Sequence, residues 1–552
     1  MIRRILKKLL VFLKNFSWLV SALLLWASFP PMGEKLDSFF ALAPMIFLSR
    51  QGDAKKSVIV WGLNGLAFWI ATLAWMVAIV KNGGPWPLVV LGWFALSLYL
   101  SLYFASFGWL NAKLWRWVRL GGYYRRLLAI LFAEPILWAG LEIVRANFGG
   151  GFAWNQLGIP AINAGFSAPA RIGGVALVSA LVFLVNGTFA SIAERVVAPL
   201  FKGRFQVNVP RAVRSIETIL PVLLIWLIFS ISNPKLSARS NEAKTITIAM
   251  IQRNFPCTFK SQEENPIKVY EKLIDEIAMW RPDLVMMSES AMSEFGDVNS
   301  QNAQYFAQYC AMRANAASIL AGGSRVDRED NLYNSAALYI SKRAMQEGAS
   351  SRKRDIDSLQ IYDKVHLVPF GEFIPLDKTF PWLKRFAPVG SCSSGVEKVL
   401  TLPDGTNFGC GICYEDTDSS LIRRVRLDGA KFFAFITNDS WFSESVEAQQ
   451  HAWQAVARAV ETGVPIVRVG NSGVTGVVLP EGEISWLSDE KGNPIVDKQA
   501  TMVTRLTLGT YAMPAYVKLG DAPLSWAFAI LILIMLATKL SGFIQFKSPK
   551  QD

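Results

Sequence analysis

At 552 residues the chain exceeds one ordinary domain, and an apolar fraction of 52% with a mean hydropathy of +0.29 argues against a wholly soluble protein. The net charge of +13 sits largely in short loops between apolar runs, which makes it a membrane-topology signal and an affinity for anionic headgroups rather than a nucleic-acid footprint. Only two histidines are present, which argues against a zinc centre.

Apolar runs suited to helical spans lie near 8–29, 36–49, 57–80, 87–110, 127–144, 173–193, 216–232 and 524–541, because backbone in hydrocarbon must satisfy its own hydrogen bonds. The second run is short, and Pro30, Pro31 and Pro44 suit a bent hairpin as well as two straight spans. No small-residue cleavage site follows the amphipathic opening MIRRILKKLLVFLKNF cleanly, so it is expected to stay as part of the first span. Basic residues fall in alternate loops: Arg3, Arg4, Lys7, Lys8 and Lys14 at the start, then Arg50, Lys55 and Lys56, then Lys113, Arg116, Arg119, Arg125 and Arg126, then Arg195, Lys202, Arg204, Arg211 and Arg214. The intervening loops hold only Lys35, Lys81, Arg145 and Arg171. This asymmetry predicts both chain ends in the cytoplasm and an inserted domain on the opposite side. The predicted division is a membrane domain over 1–232 with about seven transmembrane helices, an inserted domain over 233–515, and a last span with a cytoplasmic tail over 516–552.

Within the insertion, TITIAMIQ (245–252), LVMMSES (284–290), SILAGGS (318–324), NSAALYIS (334–341), FGCGICYE (408–415), KFFAFITND (431–439) and VPIVRVG (464–470) read as strands. YEKLIDEIAMW (270–280), AQYFAQYCAMRANA (303–316) and AQQHAWQAVARAVETG (448–463) have helical spacing. Apolar strands alternating with helices predict an α/β layered domain. The polar stretch 341–358 is expected to be a surface loop.

All five cysteines, Cys257, Cys310, Cys392, Cys410 and Cys413, fall in this domain, and an odd number leaves at least one unpaired within the chain. Cys410 and Cys413 are spaced as a redox pair, but both lie in an apparent strand, where residues three apart face opposite sides. Cys413 stands at the carboxyl end of that strand, where α/β folds place reacting groups. A thiol attacking an acyl carbon needs a base and an oxyanion stabiliser. With histidine nearly absent, the base falls to a carboxylate: Glu289 ends an apolar strand, and Lys364 in IYDKVHLVPFGEFIPL supplies a cation between apolar flanks. The competing readings are a packed structural thiol, a capping or surface acid, and a solvated lysine. His366 reads as a hydrogen-bonding side chain, His451 as a helix-face residue, and Asn438 and Asp439 as turn residues beyond a strand.

YDKVHLVPFGE (362–372), GICYED (411–416) and NDSWF (438–442), on this strand pattern, resemble the carbon–nitrogen hydrolase, or nitrilase, superfamily. With the amino-terminal spans, NFGGGFAWNQLG (147–158) and one final span, the whole chain resembles the membrane branch of that superfamily, the apolipoprotein N-acyltransferases. The resemblance implies a multi-span α-helical membrane domain plus an extracytoplasmic α/β nitrilase-like α-β-β-α sandwich. It implies Glu289, Lys364 and Cys413 as catalytic residues and Glu372, Tyr414 and Glu415 as supporting ones, with Glu294 the neighbouring competitor for the base. Trp441 and Phe442 become candidates for the acyl site, as does Trp154, which equally suits an interfacial anchor.

The implied activity moves a fatty acyl chain from a glycerophospholipid, through a Cys413 thioester, to the α-amine of a diacylglyceryl-modified amino-terminal cysteine on an apolipoprotein. Membrane lipids are implied as partners, and the enzyme is expected to be a monomer that uses no cofactor, metal or nucleic acid. The implied location is the bacterial cytoplasmic (inner) membrane, with the catalytic domain on the periplasmic side. A membrane-attached nitrilase-like amidase, another acyltransferase and a non-enzymatic lipoprotein-binding module are the alternatives.

Overall fold

The computed structural model describes residues 2–50, 53–201, 215–232, 244–256, 265–350, 357–375, 379–382, 391–509 and 512–545. The chain folds as two compact units. The first comprises Met1–Ala74, Leu91–Asn233 and Leu519–Asp552; the second comprises Trp75–Val90 and Pro234–Lys518.

The first unit is helical. Among the described residues, Ala54–Asn82, Trp86–Arg119, Tyr123–Gly150 and Ala170–Val196 are long and apolar enough to cross a membrane. Asn15–Ala27, Ile216–Ser232 and Ala522–Ala537 are shorter apolar helices. The chain is a multi-pass membrane protein.

The run near 36–49 is not a straight helix: Lys35–Phe39 is a 3-10 turn and Ala43–Ser49 a short helix with proline in its first turn, where its missing N–H costs least. Asn186, on the helix Ala170–Phe201, holds this broken segment. Its Oδ1 accepts from the backbone N–H groups of Leu42 (2.8 Å) and Ala43 (3.1 Å), and its Nδ2 donates to the Ser38 carbonyl (2.8 Å). Non-helical backbone in an apolar bundle needs such partners. The segment ends on Arg50, buried against Glu134 at 2.6 Å and donating to Ser191 at 2.8 Å.

The second unit contains two six-stranded sheets. The strands are β1 Lys244–Gln252, β2 Leu284–Met287, β3 Ser318–Val326, β4 Leu332–Ile340, β5 Leu359–Asp363, β6 Val399–Thr401, β7 Asn407–Ile412, β8 Phe433–Thr437, β9 Ile466–Gly470, β10 Gly476–Val478, β11 Ile484–Trp486 and β12 Ala500–Leu508. Their orders are β12-β1-β2-β3-β4-β5 and β11-β10-β9-β8-β7-β6. β1, β2 and β3 run parallel, as do β7, β8 and β9.

Side-chain alternation builds three layers of core. Ile246, Ile248 and Met250 of β1, Leu284 and Met286 of β2, and Leu338 of β4 share one core with Phe408, Cys410 and Ile412 of β7 and Val467 and Val469 of β9. The intervening residues Ala249, Ile251, Val285 and Met287 pack beneath the helices Pro266–Ile277 and Gln301–Arg313. The outer face of the second sheet lies under the helices Ser419–Leu427 and Glu447–Thr462. A Cβ on Gly409 in β7 would collide with Phe433 and meet Val425 of the first of these helices, so glycine lets that layer close. The result is the expected α-β-β-α sandwich.

All seven anticipated strands form: β1 and β3 run slightly longer than expected, β4 starts two residues earlier, and β2, β7, β8 and β9 are shorter. β5, β6, β10, β11, β12 and the helix Ser419–Leu427 were not anticipated; β6, β10 and β11 have three residues each, too few for alternation to read. The expected loop at 341–358 contains a helix, Lys342–Ser350. FGCGICYE is strand only as far as Ile412, and Cys413 opens a 3-10 turn, Cys413–Thr417.

Candidate active site

Glu289, Lys364 and Cys413 all follow the carboxyl ends of strands: β2, β5 and β7 respectively. Parallel strands leave their carboxyl ends on one edge, and side chains beyond the last ladder bond are free to converge there. Lys364 is 1% exposed, and its ammonium contacts both Glu372 oxygens at 2.9 Å. Glu372 also accepts from the Val368 backbone N–H at 2.8 Å, within the same PFGE turn.

Asn334, on β4, joins the two acids. Its Nδ2 donates to Glu289 Oε1 at 2.7 Å and to Glu372 Oε1 at 2.6 Å. Nothing in the motif reading singled it out, although its position is legible afterwards: it occupies the same alternation phase as core residues Ala336, Leu338 and Ile340. An amide on the apolar phase of a strand requires polar partners.

Cys413 has φ of +52°, a left-handed conformation that is uncommon for a non-glycine residue and concentrates at functional turns. Glu415 holds that turn against the lysine segment. Its buried carboxylate accepts from the backbone N–H groups of Ile412 (2.8 Å), Val365 (2.7 Å) and His366 (3.0 Å), and from the Tyr362 hydroxyl at 2.9 Å. One side chain therefore ties the start of the cysteine turn to the residues that follow Lys364. Tyr414 packs edge-on against His366, with ring centroids 5.5 Å apart, and His366 Nδ1 meets Asp418 at 2.9 Å.

Burial dominates the electrostatics. It pushes the Cys413 thiol well above its ordinary range, with Glu289 and Asp439 adding to the rise while Lys364 and a hydrogen bond to Thr437 oppose it. Burial also raises the Glu289 carboxyl against the pull of Lys364. For Lys364 desolvation favours the neutral amine, but Cys413, Glu372, Glu289 and Glu415 outweigh it and hold the ammonium protonated. Glu415 is raised by burial, opposed by Lys364 and the backbone donors. A protonated thiol, a carboxyl more basic than usual and a fixed cation lie within electrostatic reach of one another.

Glu294 sits in different surroundings, paired with Arg253 at 3.0 Å. Cys410 is a core residue of β7, and Cys310, Cys392, Cys410 and Cys413 are all free thiols; Cys257 lies outside the described residues. Trp441 and Phe442 close the turn after β8. Trp441 is 43% exposed, and the Phe442 ring packs edge-on to Trp75 at 4.8 Å. Asn82 donates to the carbonyls of Ser440 (3.0 Å) and Trp441 (2.8 Å), so the segment Trp75–Val90 supports that turn. Trp154 belongs to the other unit, where it is buried and its carbonyl accepts from Arg145 at 2.8 Å.

Behind Cys413 lies a buried charge ring that motif reading also missed. His451 Nε2 meets Asp416 at 3.0 Å and Nδ1 meets Asp439 at 3.0 Å, while Arg468 pairs with the same two acids at 2.6 Å and 3.2 Å. The available signal was Arg468 itself, a charge inside the apolar run VPIVRVG. Burial and the Arg468 charge disfavour protonated His451, but Asp416 and Asp439 prevail and lift it to about 10. Burial disfavours ionised Asp439, yet His451 and Arg468 hold its carboxyl down at about 2. Glu447 rises well above its usual range through burial and the Asp439 charge. Asp439, Glu447 and His451 bring ligand-type atoms within 4.8 Å of one another. An imidazolium facing two acids, with Arg468 already neutralising them, is a poor cation cage.

Residues 21–188 match the apolipoprotein N-acyltransferase N-terminal domain, and residues 247–502 match the carbon–nitrogen hydrolase domain. An apolipoprotein N-acyltransferase of Geobacter metallireducens is 29% identical over 483 residues, covering 85% of this chain and 86% of that protein. One from Photobacterium profundum is 26% identical and covers 93% of both, and one from Neisseria meningitidis serogroup B is 28% identical over 84% of this chain and 86% of that protein. With both domains matched in order and the relatives aligned across most of its length, the chain belongs to the apolipoprotein N-acyltransferase family, the membrane branch of the carbon–nitrogen hydrolases, and is an acyltransferase.

Proposed function

We propose that the chain transfers a fatty acyl group from a glycerophospholipid to the α-amine of an amino-terminal S-diacylglyceryl-cysteine on an apolipoprotein, through a thioester on Cys413. The observation that carries this reading is the convergence of Glu289, Lys364 and Cys413 at strand ends, with Asn334 and Glu372 linking the first two.

In the first half-reaction Glu289 takes the thiol proton and the Cys413 sulphur attacks the ester carbonyl at the sn-1 position. The negative charge that develops on the carbonyl oxygen is met by the Lys364 ammonium. Collapse breaks the ester C–O bond, and Glu289 returns its proton to the departing lysophospholipid oxygen. In the second half-reaction Glu289 removes a proton from the incoming ammonium. The amine then attacks the thioester, the C–S bond breaks, Glu289 passes its proton to the leaving thiolate, and the nitrogen releases its remaining extra proton to solvent to give the amide. A carboxyl raised by burial suits both roles, because its proton affinity lies nearer that of the groups it serves. Glu372 orients Lys364, Glu415 holds the cysteine turn, and Tyr414, Trp441 and Phe442 line the approach. Trp154 is proposed as a lipid-contacting residue of the membrane domain. The charge asymmetry of the loops supports an inner-membrane enzyme whose catalytic domain faces the periplasm.

Incubation with phospholipid vesicles followed by intact-protein and peptide mass spectrometry tests this. Wild type and Cys410→Ser should gain one acyl mass, lost on addition of a diacylated amino-terminal lipopeptide, whereas Cys413→Ser should gain none. Acyl loss to water without lipopeptide acylation would instead mark a hydrolase, and an acylated Cys413→Ser protein would remove the thioester from the mechanism.

A further inference from the structure

Thr437, the last residue of β8, is fully buried and lies one step beyond the Ile412–Ile436 pair in the β7–β8 register, which sets it beside Cys413. Its hydroxyl donates to Asp439 Oδ1 at 2.8 Å, and hydrogen bonding from Thr437 opposes the burial-driven rise of the Cys413 thiol. Asp439 cannot turn away: His451 and Arg468 hold both of its oxygens, and a Cβ on Gly473 would overlap Oδ2. Those two cations are fixed in turn by Asp416, in the same turn as Cys413, and His451 Nε2 also lies 3.3 Å from the Cys413 carbonyl. We propose that Thr437 is a positioning residue for the Cys413 sulphur, bridging it to an Asp439 carboxylate that a closed ring of buried charges holds still. This rests on the thioester reading above.

The hydroxyl carries one proton and two acceptor lone pairs. While the thiol is protonated, S–H donates to Thr437 and Thr437 donates to Asp439. When Glu289 takes the thiol proton, the hydroxyl rotates and donates to the thiolate, and Asp439 keeps its bonds to His451 and Arg468. No proton is transferred through Thr437; one hydrogen bond is exchanged for a stronger, charge-assisted one on the sulphur that must attack. Glu289, Lys364, Asp439 and Arg468 are the charged groups that act on that sulphur. Thr437 is thus the neutral donor among them.

The full-length protein in detergent micelles allows the test with a small neutral probe. The rate of Cys413 alkylation by iodoacetamide is read by peptide mass spectrometry, alongside self-acylation from phospholipid and the thermal midpoint. Thr437→Val and Thr437→Ala should slow alkylation and self-acylation by about 10- to 100-fold, the worth of one hydrogen bond to a charged group. Thr437→Ser, which keeps the hydroxyl and drops the methyl, should stay within about threefold of wild type on that account. Wild-type alkylation by either hydroxyl-free variant overturns the proposal. So does a Ser variant as slow as Val, which would assign the effect to packing. Because iodoacetamide needs no lipid site, a wild type that alkylates normally but never acylates itself would sink the phospholipid reading and leave Thr437 separately decided.

Discussion

Glu289 and Glu294 share one short stretch after β2, yet they meet different neighbours. Glu289 is 9% exposed, accepts from Asn334 and feels Lys364, whereas Glu294 spends its charge on Arg253. An amide in place of Glu289 keeps the shape but cannot accept the thiol proton. Glu289→Gln should therefore fold and lose self-acylation by at least about 100-fold, the usual worth of a general base. Glu294→Gln should stay within about threefold, because it removes a partly exposed ion pair of small net value. Comparing self-acylation rates of the two purified variants decides between them, and the opposite ranking would move the base to Glu294. Asn334 illustrates the reverse lesson: it lies in no motif, and only its pairing with two acids shows what it does.

At the scale of elements, the turn after β7 is held from two directions. Glu415 anchors it to the residues that follow β5, and Asp416 anchors it through His451 and Arg468 to the helix Glu447–Thr462 and to β9. These ties are electrostatic and therefore depend on pH. The folded protein holds His451 at about 10 against an ordinary 6.5, so its contribution to stability is complete below pH 6.5 and fades as pH rises through about 10. Asp439, lowered from 3.8 to about 2, contributes above pH 3.8 and loses that contribution as pH falls through about 2. Thermal unfolding of full-length protein and of His451→Gln, followed by tryptophan fluorescence, should show the largest gap between the two near pH 6. That gap should narrow steadily above pH 6.5 and close near pH 10. A gap that widens with rising pH would mean that His451 is neutral in the folded state.

For the whole molecule, the loop charges predict which side of the membrane each part occupies. Glu329 lies in the exposed turn between β3 and β4, and Gly122 in an exposed loop flanked by Arg116, Arg119, Arg125 and Arg126. Single cysteines introduced at these positions can be challenged in cells with a membrane-impermeant maleimide after the outer membrane is permeabilised. Labelling above the wild-type background is expected at 329 in intact inner membranes, and at 122 only after they are opened. Labelling of 122 with protection of 329 would place the catalytic unit in the cytoplasm, where a periplasmic lipoprotein acceptor could not reach it.

Apolar run length, loop charge and strand alternation were enough to read a multi-pass membrane protein with an α/β layered domain and to single out Glu289, Lys364 and Cys413, while the α-β-β-α sandwich was implied by the resemblance that three short motifs carry. These are properties of neighbouring residues, and local periodicity and composition carry them. The Asn186 anchor of the broken segment at 35–49, the left-handed turn at Cys413, the Asn334 bridge and the ring of Asp416, Asp439, His451 and Arg468 were not legible. Each depends on partners far apart in the chain: Asn186 on another helix, acids on separate strand ends, a histidine beneath a sheet. A buried polar group declares its role only when the fold brings its partner within hydrogen-bonding distance, because desolvation makes that partner obligatory and no local pattern encodes which residue supplies it.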